Sequence, residues 1–114
     1  MTTISPQQRL VTLINVFTVE PEDQARLVGL LVEATEQQIR HVPGFISANI
    51  HRSLDGRHVA NYAQWESPEA FERMLGDAEA RRHMEPIRQI AGNHAQLYEV
   101  VHVEDRPSNP SHLA

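Results

Sequence analysis

The dipeptide Asp55-Gly56 lies between two stretches, Phe45 to Leu54 and Arg57 to Glu66, in which apolar and polar residues tend to alternate. Asp-Gly between alternating runs is a strong hairpin signal, because the tightest turns need the positive φ angles that these residues tolerate. A two-residue turn leaves one register. It sets Leu54 opposite Arg57, Ile50 opposite Asn61, Ala48 opposite Ala63 and Ile46 opposite Trp65. A period of two then gathers Ile46, Ala48, Ile50, Asn61, Ala63 and Trp65 on one mainly apolar face. Asn49, His51, His58, Tyr62 and Gln64 take the other. The only Trp of the chain and an amide thus share the face expected to look into the core.

The second of these strands runs straight into a helix. Ser67 is a good N-cap, Pro68 suits the first helical position, and Glu69 favours the positive helix end. The helix spans Ser67 to Leu75, Gly76-Asp77 breaks it, and a second piece from Ala78 to Ala91 contains Pro86, which should kink or shorten it. Upstream, Arg9 to Val19 is rich in β-branched residues and forms the first strand, with Asn15 the one amide among Val11, Leu13, Phe17 and Val19. Its plain reading is a buried polar group satisfied by backbone or water. Pro21-Glu22-Asp23 opens a helix whose inner face is Val28, Leu31, Val32, Thr35, Ile39 and Val42, stopped by Pro43-Gly44. A last strand runs from about His94 to Glu104. Residues 1–8 form a flexible lead-in, residues 9–104 the domain, and residues 105–114 a flexible tail.

The order strand, helix, strand, strand, helix, strand is that of the ferredoxin-like α+β fold, a four-stranded antiparallel sheet with helices on one face. Phe45, Tyr62 and side chains of the outer strands remain on the other face, which argues for a second sheet packed there and hence a homodimer. A chain of 114 residues makes one domain. The net charge of −5 and the absence of a basic run argue against nucleic acid. There is no Lys for a Schiff base and no Cys for a thiol nucleophile or thiolate metal site. None of the seven His occurs at metal-ligand spacing, so no metal is expected. Without a secretory signal or a membrane-length apolar run, the expectation is a cytoplasmic protein with no membrane association.

Val42-Pro43-Gly44-Phe45, Ser53-Leu54-Asp55-Gly56 and above all Asn61-Tyr62-Ala63-Gln64-Trp65-Glu66-Ser67 followed by Ala70-Phe71 resemble the antibiotic-biosynthesis monooxygenase family of dimeric α+β-barrel proteins. The likeness covers roughly residues 10–104 and is nearest to the cofactor-free oxygenases that oxidise anthrones in aromatic polyketide pathways. The resemblance implies a small aromatic substrate, O2 as co-substrate, no cofactor, and catalytic roles for Asn61 and Trp65. It further implies a substrate cavity to which Asn15, Ile46, Ile50, Phe71 and Met74 are assigned. Where such enzymes carry a Tyr for proton transfer this chain has Phe71, which cannot relay a proton. His83, on the helix expected to cover the cavity, is the preferred substitute. A haem-degrading monooxygenase, a polyketide cyclase and a non-catalytic dimeric ligand-binding module of the same fold stay open as alternatives.

Overall fold

Val11–Val19 (β1) is a nine-residue run dominated by β-branched and aromatic side chains, and its odd positions Leu13, Asn15, Phe17 and Val19 are buried. Phe45–Arg52 (β2) and His58–Trp65 (β3) form the hairpin, and β1 pairs with β3 on one side and with Ala91–Tyr98 (β4), the far edge, on the other. All pairings are antiparallel and the sheet order is β2-β3-β1-β4. Helices Gln24–Gln37 (α1), Pro68–Gly76 (α2) and Ala78–Arg88 (α3) complete the ferredoxin-like α+β arrangement. The computed structural model describes residues 1–107; most of the tail expected over 105–114 lies outside them.

The hairpin pairs Ile50 with Asn61 and Ala48 with Ala63, as the sequence predicts. Its turn is wider than two residues, because the last closing pair is Ser53 with His58 and Leu54 is fully exposed. Within that turn the Asp55 carboxylate accepts from Ser53 Oγ at 2.6 Å and from the Arg57 amide at 3.0 Å. These bonds, the Ser53 hydroxyl first, hold its carboxyl below the usual Asp range.

Toward the open end the expected register fails. β2 bulges between Phe45 and Ser47, so Phe45, not Ile46, opposes Trp65. Ile46 is left 43% exposed. Two contacts account for the shift. Gly44 O accepts from the Glu66 amide at 2.8 Å and pins the strand entry, while Phe45 turns inward to meet Trp65 edge-on at 5.5 Å between ring centroids. Phe45 therefore belongs to the helix-covered face and not to the face assigned above.

Two further expectations are corrected. The buried stripe of α1 is Leu27, Leu31 and Ala34, whereas Val32 is exposed. Gln24 and Gln38 at the ends of this stripe set the rotation. Gln24 Nε2 donates to Ser53 O and His58 O at 3.1 and 3.0 Å, and Gln38 Nε2 donates to Asp77 Oδ2 at 2.8 Å. The last strand begins at Ala91 and stops at Tyr98, not Glu104, because β1 supplies partners only from Val19↔Ala91 to Thr12↔Tyr98. A strand that outruns its neighbour loses its ladder bonds.

Ser67 Oγ accepts from the Ala70 amide at 3.1 Å and starts α2; Asp77 Oδ2 does the same for α3 through the Ala80 amide, also at 3.1 Å. The sheet face away from the helices carries Ile14, Val16, Ala60, Tyr62 and Tyr98. Residues 1–8 cross part of it. Thr2 Oγ1 donates to Asn49 Oδ1 at 2.8 Å, and Gln64 Nε2 donates to Thr3 O at 2.7 Å.

Gly44 holds φ at +93°, and a Cβ built there would collide with the Ala70 Cβ of α2. Both the left-handed backbone and the close approach require Gly. Gly44→Ala is expected to destabilise by about 2 kcal/mol or more. A thermal melt should fall by roughly 8 °C or more; an unchanged midpoint would show that α2 does not rest on this contact.

Candidate active site

The buried side chains on the helix-covered face form two clusters. Leu13, Ala63, Trp65, Ala70, Phe71, Met74 and Ala80 make one, and Phe17, Val19, Leu27, Leu31, Val59 and Ile87 make the other. Between them, Asn15 on β1 and Asn61 on β3 stand directly opposite each other. Neither amide belongs to a cluster. Here the sheet and the helices line a hollow with a cavity volume of about 130 Å³, partly open to solvent at its mouth. That volume is below the roughly 300–1,000 Å³ of sites that enclose drug-sized molecules, so a larger ligand would extend into the mouth.

Of the residues singled out in the sequence, Asn15, Asn61, Trp65, Phe71 and Met74 line this cavity. Ile46, Ile50 and His83 do not. Ile46 is displaced by the bulge, and Ile50 packs against the cluster of Phe17 and Val59. Both border a shallow depression beside the N-terminal segment instead. His83 is on α3, but its ring turns toward α1, with Nδ1 2.9 Å from Glu79 O and Nε2 3.3 Å from Gln37 Oε1. Helical spacing gave no way to tell which side of α3 would face the sheet.

Asn61 Oδ1 accepts from the Asn49 amide at 3.3 Å, and Asn15 Oδ1 accepts from Asn93 Nδ2 at 3.0 Å. Among the described residues each leaves its own Nδ2 without a protein partner. The indole N–H of Trp65 is buried without a hydrogen-bond partner among the described residues. An orphaned buried donor costs about 1–3 kcal/mol, so its persistence calls for an explanation beyond packing. The ring itself is fixed, with Phe45 edge-on on one side and Phe71 at 6.0 Å and 63° on another.

The lining includes two arginines, Arg81 and Arg88 of α3, and no carboxylate, imidazole or phenol. Arg81 Nε donates to Leu75 O at 3.1 Å, and Arg88 reaches Glu85 at 3.5 Å. Asn93, Arg81 and Arg88 were not singled out as cavity residues from the sequence. Starting the last strand at Ala91 would have put Asn93 on the face of Leu97 and so opposite Phe17. Among the described residues no group of three His, Asp or Glu is placed to hold a metal ion, and no helix is long and apolar enough to cross a membrane.

Comparison with known proteins agrees with this geometry. Residues 10–86 match the family model described as antibiotic biosynthesis monooxygenase. The tetracenomycin-F1 monooxygenase of Streptomyces glaucescens is 46% identical over 102 residues, covering 90% of this chain and 91% of that protein. A monooxygenase of Streptomyces coelicolor, solved in complex with the ligand nanaomycin D, superposes with a TM-score of 0.73 at 33% identity over 87% of this chain and 93% of its own. The cofactor-independent oxygenase SnoaB of Streptomyces nogalater shares the fold, with a TM-score of 0.68 at 24% identity over 90% of this chain and 99% of its own. Family model, sequence identity and shared architecture together mean that the chain belongs to the antibiotic biosynthesis monooxygenase family.

Proposed function

We propose that this monooxygenase oxidises a phenolic polycyclic polyketide of the anthrone or quinol type to a quinone, with O2 and no cofactor. One observation carries the reading: an apolar hollow at whose centre, among the described residues, the Nδ2 groups of Asn15 and Asn61 have no protein partner, with the buried Trp65 indole in its wall and no carboxylate or imidazole among its lining residues. Such a site is suited to stabilising an anion that the substrate itself generates. The names of two relatives above 30% identity support the substrate class, a tetracenomycin-F1 monooxygenase and a monooxygenase in complex with nanaomycin D.

The chemistry closes without a prosthetic group. Loss of a proton from a phenol-conjugated CH2 gives an extended carbanion with its charge on oxygen, where an amide N–H can hold it. That anion passes one electron to O2. Recombination of the substrate radical with superoxide forms a C–OO− bond, which takes back a proton to give C–OOH, and loss of water leaves the carbonyl. One oxygen atom ends in the quinone and one in water, and the two substrate C–H bonds supply all four electrons. Apolar walls keep bulk water from the anion, and the rigid Trp65 with its aromatic neighbours sets the plane in which a flat substrate lies.

The face away from the helices suits a second copy of the chain, and we place the homodimer there. Ile14, Val16, Tyr62 and Tyr98 form its apolar part, with Val16 37% and Tyr98 44% exposed. Val16→Glu is expected to give monomers in sedimentation while secondary structure is retained. A dimer that survives this change would move the interface elsewhere.

Metal-stripped, colourless protein should consume one O2 per anthrone converted. Asn61→Ala should lower kcat/KM roughly 100-fold, and Trp65→Phe, which keeps the ring but loses the N–H, about tenfold. Oxygen uptake no faster than buffer with a panel of anthrones and hydroquinones would reject the reading.

Among the described residues no carboxylate or imidazole lines the cavity, so on this reading the substrate proton passes to water at the open mouth. The pH dependence of kcat/KM should then rise through a single ionisation that moves with the phenol pKa of the substrate. His83→Gln should stay within roughly twofold of the parent. A midpoint that ignores the substrate and vanishes in His83→Gln would restore His83 as the relay.

A further inference from the structure

Asn93 lies at the exposed mouth of the cavity on β4 and has no role in the reaction as set out so far. Its one side-chain bond among the described residues runs from Nδ2 to Asn15 Oδ1 at 3.0 Å. Because the sheet order is β2-β3-β1-β4, that bond draws the oxygen end of the Asn15 amide outward, away from β3. The nitrogen end is thereby turned back toward β3, where Asn61 stands directly opposite. The Asn61 amide is drawn in the mirror sense. Its Oδ1 is held by the Asn49 amide of β2, on the far side of β3, which turns its Nδ2 back toward β1.

We propose that Asn93 is a positioning residue for the oxidation, turning Asn15 so that its amide N–H and that of Asn61 converge on one anionic substrate oxygen. The inference rests on the reading of the Asn61 and Asn15 amides as oxyanion donors and adds to it the residue that aims one of them. Asn15 without Asn93 is free to rotate, and an amide presenting its oxygen to a phenolate repels it. Two convergent donors also define the ligand more narrowly: a planar molecule with a phenolic or enolic oxygen reaching the centre of the sheet, between β1 and β3. A neutral amide pair suits an oxygen that is neutral on entry and anionic in reaction, since fixed donors gain most from the charge that develops.

The test uses 1,8-dihydroxyanthraquinone, whose visible band distinguishes phenol from phenolate and which lacks the reactive CH2. Its apparent phenol pKa when bound to the parent protein should be below that of the free compound. Asn61→Ala should raise the bound value by about one unit, the scale of one hydrogen bond to a charged group. Asn93→Ala should raise it in the same direction and by no more than Asn15→Ala, and the Asn15→Ala/Asn93→Ala double variant should equal Asn15→Ala alone. Asn93→Ser, which keeps a donor, should restore most of the effect. Asn93→Asp, an acceptor that draws the Asn15 nitrogen outward, should raise the value beyond Asn93→Ala, and that excess should shrink when Asn15 is Ala.

Thermal melts of each variant check that the fold is kept, which an exposed strand residue makes straightforward. If Asn61→Ala raises the bound pKa while Asn93→Ala, Asn93→Ser and Asn93→Asp all match the parent, the positioning role of Asn93 is overturned and the oxyanion reading stands. Additive effects of Asn15→Ala and Asn93→Ala overturn it as well, since Asn93 would then act independently of Asn15. Failure of the parent protein to bind the probe or lower its pKa, or no effect of Asn61→Ala, overturns both.

Discussion

Two amides facing each other across β1 and β3 govern the interior of this protein. On either side of Asn15 and Asn61 the same sheet face is apolar, with Leu13, Ala63 and Trp65 in one direction and Phe17 and Val59 in the other. A side-chain amide buried against hydrocarbon without partners costs more than close packing would return. The helices therefore close over the two apolar ends and leave the polar middle open. The divided core and the cavity are one fact seen from two sides.

What surrounds the hollow is rigid for reasons that are local and additive. The left-handed Gly44 lets the loop touch Ala70, the Glu66 amide bonds back to Gly44 O, and Ser67 caps α2. Together these place Phe71 and Met74 over Trp65. The indole is clamped between aromatic edges, yet among the described residues its N–H has no acceptor. Enzymes that depend on orientation rather than on a reactive group need this kind of rigidity, because a donor that must reorganise during the reaction loses most of its effect. The absence of any carboxylate, imidazole or phenol from the lining fits the same logic. A substrate that can ionise and supply its own electrons asks the protein for placement and dryness.

Much of this was legible in the chain. The alternation around Asp55-Gly56 set Ile50 against Asn61 correctly because a hairpin near its turn has little freedom to slip. The Ser-Pro-Glu start of α2 was equally secure, since a cap is written in adjacent residues. Errors grew with distance from such anchors. The bulge that brings Phe45 inward and pushes Ile46 out depends on a contact between Gly44 and the far end of β3. The inner stripe of α1 turned on Gln24 and Gln38 binding other elements, which no helical periodicity reveals. His83 faced α1 rather than the cavity, and Asn93 went unnoticed because the start of β4 is set by its register with Val19 and not by its own residues.

The sequence by itself determined the order of the elements, the hairpin pairing next to its turn, the helix starts and the sharing of one face by Asn61 and Trp65. These follow from periodicity, turn chemistry and capping, all of which act over a few neighbouring residues. Only the tertiary structure decided that the core divides around Asn15 and Asn61, that Asn93 reaches Asn15 across 78 positions of chain, and that the Trp65 N–H is buried without a partner among the described residues. Those features arise where strands and helices distant in sequence compete for the same space, and the outcome depends on which contacts can be made at once.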